Sequence, residues 1–242
     1  MPTCRLCLKE KKLIKAHIIP NFMYKGIKDI TRFNKNLDSG KFSTLRTGTG
    51  EFDKSILCAD CDNGILNERY EKYAKRTMYD THPANDIKVE RIGNLLIFKN
   101  IEYSKYKLFF LSILWRASIS KRPFFERLNL GEQQEERLRK MLYEDNVPKE
   151  TEYAIVMNMV PHFSKVVAQL PMPIYKGIEN HLFIIDSIVY HFFITSKEKK
   201  LPPDFSKLIL KESGEFPLLQ LTIDEFDTYI KSIIDQCFSP FP

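Results

Sequence analysis

Apolar positions change their rhythm along the chain. Up to about residue 60 they come singly or in short runs between lysines, glycines and asparagines, so residues 21–55 read as loop with short strands. A helical pattern then begins near Gly64 and runs through Ile65, Leu66, Tyr70, Tyr73 and Ala74. Glu68 with Lys72 and Glu71 with Lys75 would support it as i,i+4 pairs in the favourable orientation. The stretch His82-Pro83-Ala84-Asn85 marks a boundary.

Beyond it, residues 94–98 suggest a strand, and residues 103–119 predict a helix that is apolar nearly all round and therefore buried. Residues 132–144, after Gly131, predict an exposed amphipathic helix. From Glu152 the texture turns to β-branched and aromatic residues, predicting strands within 153–195, at 153–160, 165–170, 181–185 and 188–195. Asp186-Ser187 would be the hairpin turn between the last two. Phe226, Tyr229, Ile230, Ile233 and Ile234 recur at helical spacing and predict a C-terminal helix over 224–237. The expected class is α+β. The expected division is an N-terminal module over residues 1–80 and a mixed helical and antiparallel β domain over 81–242.

The most apolar runs, near 108–115 and 182–193, fall short of the roughly 18–20 residues that a membrane helix needs. No signal peptide opens the chain, so a cytoplasmic protein without a membrane partner is expected. Charge is unevenly spread. Residues 1–80 hold sixteen basic and ten acidic side chains, and residues 81–242 hold twenty-one of each, so the whole net charge of +6 lies in the first third. Lys9, Lys11, Lys12, Lys15, Lys25, Lys28, Arg32, Lys35, Lys41 and Arg46 crowd that segment and suit a phosphate backbone, with DNA as the expected partner. The balanced remainder suggests a homodimer contact or a protein partner instead.

Four of the five cysteines lie in the basic segment, as Cys4-x2-Cys7 and Cys58-x2-Cys61. In a reducing compartment paired CxxC motifs point to a metal, and two of them supply the four thiolates of a structural Zn²⁺ site. Free or buried thiols are the other reading. Cys237 stands apart as a core or surface thiol. His82, His162, His181 and His191 have no ligand spacing and read as structural, and Arg116 reads as part of the core, paired inside or reaching the surface.

Between the cysteine pairs lies Ala16-His17-Ile18-Ile19-Pro20. With that motif the segment from residue 4 to about 75 resembles the HNH endonucleases, the ββα-metal family, in its four-cysteine zinc form. Asp53 stands five residues before Cys58, where the family usually has Asn, and Asp62 directly follows Cys61, where it usually has His or Asn. The acidic residue that commonly precedes the motif histidine is Ala16 here. The resemblance implies a zinc-stapled ββα-metal module that hydrolyses DNA phosphodiester bonds. His17 would be the general base, Asp62 a ligand of a catalytic Mg²⁺ or Mn²⁺, and Asp53 the residue that orients His17 or completes the metal shell. By analogy such an endonuclease would serve bacterial defence or mobile elements. An aspartate at the start of a helix also serves as a cap, so Asp62 has a second reading. The alternative function is a zinc-dependent nucleic-acid-binding or adaptor protein without catalysis.

Overall fold

The computed structural model describes residues 1–24, 31–32, 34–35, 42–43, 50–79, 86–163, 166–171, 177–196, 201 and 203–238. The chain divides into two compact units, and each is built from separated segments. Unit 1 comprises Met1–Gly26, Gly48–Ile87 and Asn100–Pro148, and unit 2 comprises Ile27–Thr47, Lys88–Lys99 and Lys149–Pro242.

The division therefore differs from the expected boundary at residue 80. Two of the three helices expected in the second domain, now found at α2 (Tyr103–Ile119) and α3 (Gly131–Glu144), belong with the cysteines, while the middle of the basic segment belongs to unit 2. The physical reason lies in α2. Its residues from Tyr106 to Ala117 are all buried, so it must be covered on every side. Neighbours in unit 1 provide that cover. Phe22 stacks on Phe109 at 5.9 Å, and Tyr73 faces Tyr106 at 6.4 Å. Tyr70 donates to the Leu142 carbonyl at 3.0 Å, which ties the helix after the second cysteine pair to α3.

That helix, α1, covers residues 60–79 and starts earlier than the pattern suggested. Asp60–Glu71 and Lys75–Tyr79 are wound as π-helix, with an α-helical turn at Lys72–Ala74 between them. The Lys72 N–H bonds the Asn67 carbonyl, five residues back. A π-helix turns about every 4.4 residues, so positions nine apart share a face. Burial follows that wider winding, since Cys61, Leu66, Tyr70 and Ala74 are all buried and lie five, four and four residues apart. The Glu68–Lys72 pair forms at 2.6 Å. The expected Glu71–Lys75 pair is replaced, because the wider turn carries Glu71 to Arg116 on α2 at 2.8 Å.

Unit 1 also holds a two-residue antiparallel ribbon, β1 (Ala16–His17) against β5 (Phe52–Asp53), with Ala16 opposite Asp53 and His17 opposite Phe52. Alternation sends one pair inward and one outward. Ala16 and Asp53 are buried, whereas His17 and Phe52 are only half-buried. Gly50 leads into β5 with φ +63°, and a Cβ there would lie 2.6 Å from the Tyr24 ring, so the position needs glycine twice over.

Unit 2 is an eight-stranded mixed sheet. Its strands are β2 (Thr31–Arg32), β6 (Lys88–Ile92), β7 (Leu95–Lys99), β8 (Ala154–Met159), β9 (Val166–Pro171), β10 (Asn180–Ile185), β11 (Ile188–Phe193) and β12 (Phe216–Gln220). Their spatial order is β2-β9-β10-β11-β8-β12-β7-β6. The pairings are antiparallel except β12 with β8 and β2 with β9, so the expected antiparallel sheet is a mixed one. β3 (Asn34–Lys35) and β4 (Phe42–Ser43) form a separate small ribbon. Asp186 and Ser187 turn between β10 and β11 with φ of 47° and 71°, the positive values that a type I′ hairpin requires. Tyr153 to Met157 and Asn180 to Ile185 are buried without interruption, as central strands covered on both faces should be. The edge strand β6 is exposed throughout and carries Lys88, Glu90 and Arg91, charges that discourage edge-to-edge pairing. A short α4 (Pro203–Ser206) and the C-terminal α5 (Ile223–Phe238) complete the unit, with Phe205 and Phe226 packed into its apolar clusters. Among the described residues no helix is long and apolar enough to cross a membrane.

Candidate metal centre and the residues beside it

The first cysteine pair sits on a tight turn. The Leu8 N–H bonds the Cys4 carbonyl at 2.9 Å, and Leu8 takes a left-handed φ of 58° to close the loop. The Cys4 N–H reaches Lys9 and the Arg5 N–H reaches Ile56, which lays this turn against the second pair. There the Cys61 and Asp62 N–H groups both point at the Cys58 carbonyl, at 3.2 and 3.0 Å, and open α1. Leu13 bridges Cys58 in a single antiparallel contact.

As a result the four Sγ atoms of Cys4, Cys7, Cys58 and Cys61 lie within 4.8 Å of one another. A tetrahedral zinc with Zn–S bonds of about 2.3 Å places its sulfurs about 3.8 Å apart, so the cluster can hold a metal ion such as zinc. Its electrostatics agree. The Cys61 side chain hydrogen-bonds Cys4 and, with backbone N–H groups, pulls its thiol down to about 4 against the effect of burial. Cys61 is pushed up in turn, first by that bond to Cys4 and then by burial. Crowded thiols hold protons between them, and a cation is what lets all four ionise. Among the described residues this is the only group of three or more potential ligands that comes together; His17, Asp53 and Asp62 do not form a second one.

Each of those three residues has a distinct place. His17 ends β1 with its ring 6.5 Å from Phe52, edge to face, and its carbonyl accepts the Arg116 Nη1 at 2.7 Å. Asp62 lies in the first turn of α1. The helix cap is Ala59, which makes no side-chain cap bond. Burial pushes the Asp62 carboxyl up to about 6, with Arg116 opposing the shift and Glu71 and Cys4 adding to it. Asp62 thus belongs to a charged cluster with Arg116 and Glu71.

Asp53 is committed elsewhere. Its Oδ1 accepts the Ser55 N–H at 2.8 Å and the Ser55 hydroxyl at 2.6 Å, while its Oδ2 accepts the Ser120 hydroxyl at 2.8 Å and the Lys121 N–H at 3.3 Å. The carboxylate fixes the turn after β5 and fastens it to the end of α2. Burial would raise its pKa, but these donors together hold it below the usual carboxylate value. Replacing Asp53 by Asn turns an amide NH₂ toward donors, and a loss of about 1–3 kcal/mol at pH 7 is expected. A depressed native pKa stabilises above the unfolded value and is lost as pH falls through the native one. The difference in urea midpoint between wild type and Asp53→Asn should therefore shrink on acidification below about pH 4. A constant difference from pH 7 to 3 would contradict this reading.

The basic residues are scattered by the fold. Lys9, Lys11, Lys12 and Lys15 surround the cysteines and β1, with Lys11 paired to Asp60 at 2.5 Å. Lys15 Nζ sits 3.9 Å above the Phe52 ring, and the Arg122 guanidinium lies 5.8 Å from it. Arg32 and Lys35 are in unit 2, and Lys25, Lys28, Lys41 and Arg46 lie outside the described residues, as do Gly48 and Thr49. His82 lies outside them too. His181 and His191 are buried in unit 2, where His191 bonds Tyr229 and Asn180.

The sequence places Arg116 in the core, paired inside or reaching the surface, and the structure pairs it inside; Glu71, expected to face solvent with Lys75, is its partner. The Trp115-Arg116 juxtaposition in a wholly apolar helix was the available signal, because a buried arginine requires acceptors. Compared with protein-family models, with curated proteins and with solved structures, the chain matches none.

Proposed function

We propose that unit 1 is a zinc-stapled, HNH-like endonuclease module that cuts DNA, with His17 as general base. The observation that carries this reading is the arrangement around Arg116. His17 on the ribbon lends it a carbonyl, and Asp62 in the first turn of the following helix feels its charge. The order of ribbon then helix, with a four-cysteine cluster at their junction, is the frame that such a module needs. The zinc is structural, since four thiolates fill a tetrahedral shell and leave no open position.

His17 is half-buried on the outward side of the ribbon, where its ring would serve as the base. Lys15 and Lys54, exposed, flank the ribbon, and Arg122 stands by Phe52. These cations receive the phosphate backbone without reading bases. Asp62, with Glu71 near it, offers the oxygen donors that suit a hard cation such as Mg²⁺ or Mn²⁺. When bound, such a cation supplies positive charge for the phosphate oxygens.

The test is to incubate the pure zinc-loaded protein with supercoiled plasmid and Mg²⁺ or Mn²⁺. Wild type should nick, and His17→Ala should fall to background while its salt-sensitive DNA binding stays. Intact binding with no nicking by wild type would sink the nuclease reading. That result would favour the second one, a zinc-dependent nucleic-acid-binding or adaptor protein, for which the commitment of Asp53 to Ser55, Ser120 and Lys121 speaks.

A further inference from the structure

Arg116 is the least expected group in unit 1. It sits on α2, about a hundred residues from His17 in sequence, and is 1 % exposed. Its guanidinium is fixed from behind by its own helix, with Nε on the Ser112 carbonyl at 3.1 Å and Nη2 on the Ser112 hydroxyl at 3.1 Å. Ser112 in turn donates to the Phe109 carbonyl at 2.7 Å, so its oxygen is free to accept from the arginine. The fork thus has one direction left, and there Nη1 meets the His17 carbonyl at 2.7 Å and Glu71 Oε1 at 2.8 Å. Through a hydrogen bond to His17 and an ion pair to Glu71, Arg116 therefore ties the end of β1 to the face of α1 that also bears Asp62.

We propose that Arg116 is a positioning residue for the His17 site: by holding the His17 backbone and the Glu71 carboxylate on one nitrogen, it sets the base against the acidic face of α1. This rests on the nuclease reading of His17. The device explains why the charge is an arginine. A lysine amine is a point charge without the planar fork, and it cannot keep the Ser112 contacts while reaching two acceptors at fixed angles.

The deciding experiment is plasmid-nicking kinetics of zinc-loaded Arg116→Lys and Glu71→Gln, with zinc content and melting checked in parallel. Both variants should bind zinc as wild type does. In Arg116→Lys kcat should fall by about a hundredfold with KM within about twofold, because misplacing a catalytic group costs rate more than binding. The double variant should lose no more than the worse single one, since both remove the same link. Wild-type kcat in folded Arg116→Lys, or a loss confined to KM, overturns the proposal. If wild type does not nick, the nuclease reading fails, and amide exchange decides the positioning claim by itself. The Ile18 N–H, bonded to the Glu51 carbonyl at 3.0 Å, should then exchange at least about tenfold faster in Arg116→Lys. Unchanged exchange there overturns it as well.

Discussion

Chelating the metal is expected to unfold the cysteine-bearing part of unit 1 while the sheet of unit 2 stays folded. The segments that carry the cysteines have little secondary structure of their own before α1, only a two-residue ribbon and single bridges. Four ligands from two turns are what hold these segments in register. Structural zinc sites contribute about 10–16 kcal/mol of apparent binding energy in small domains, which matches or exceeds the whole stability of a typical domain. Unit 2 has apolar clusters that do not involve the cysteines, one around Ala154, Val156, Phe193 and Ile209 and one around Leu182, Ile184, Val189 and Phe226. Hydrogen exchange after a strong chelator should show lost protection across residues 4–19 and 56–62, with protection retained across 154–159 and 180–193. Cys58→Ser should act like partial chelation, because a hydroxyl does not replace a thiolate on zinc. Protection in residues 4–19 that survives chelation would mean that the cysteines do not staple the fold.

Much of the architecture could be read in advance, for particular reasons. α2 was legible because thirteen of its seventeen residues are buried and its boundaries follow the apolar run. The β10–β11 hairpin was legible because Asp186-Ser187 interrupts a continuous β-branched and aromatic stretch. The four cysteines were legible because their shared spacing has few uses. What could not be read follows from long-range effects. β6 looks like loop, being charged and wholly exposed, and it is a strand only because β7 pairs with it. The π winding of α1 changes which residues share a face, so a 3.6-residue period placed Glu71 in solvent. Asp53 resembled a site residue by its distance from Cys58, but besides Ser55 its donors are Ser120 and Lys121, far along the chain. The discontinuous units have the same origin. Segments 88–99 and 27–47 add strands to a sheet whose centre lies beyond residue 150, and local pattern carries no trace of that pairing.

Removing the Arg116 side chain should be the most damaging single change in unit 1 outside the cysteines. Arg116→Met keeps roughly the length and the apolar stem, so packing within α2 is largely preserved, but it strands two partners. The Glu71 carboxylate, only 15 % exposed, loses its counter-charge while Asp62 remains close by. The His17 carbonyl loses its donor. Breaking a buried pair from one side costs about 3–5 kcal/mol, chiefly because the remaining charge is buried alone. That account makes a second, sharper demand. Glu71→Gln removes the charge left behind, so the double variant Arg116→Met with Glu71→Gln should be more stable than Arg116→Met by itself. The coupling between the two sites should be on the order of 1–3 kcal/mol. Urea unfolding of all four proteins at saturating zinc measures the cycle directly. Costs that simply add would show that Arg116 is held by helix packing alone. A double variant that recovers stability while a nicking assay finds it no faster than Arg116→Met would separate what the arginine does for the fold from what it does for His17.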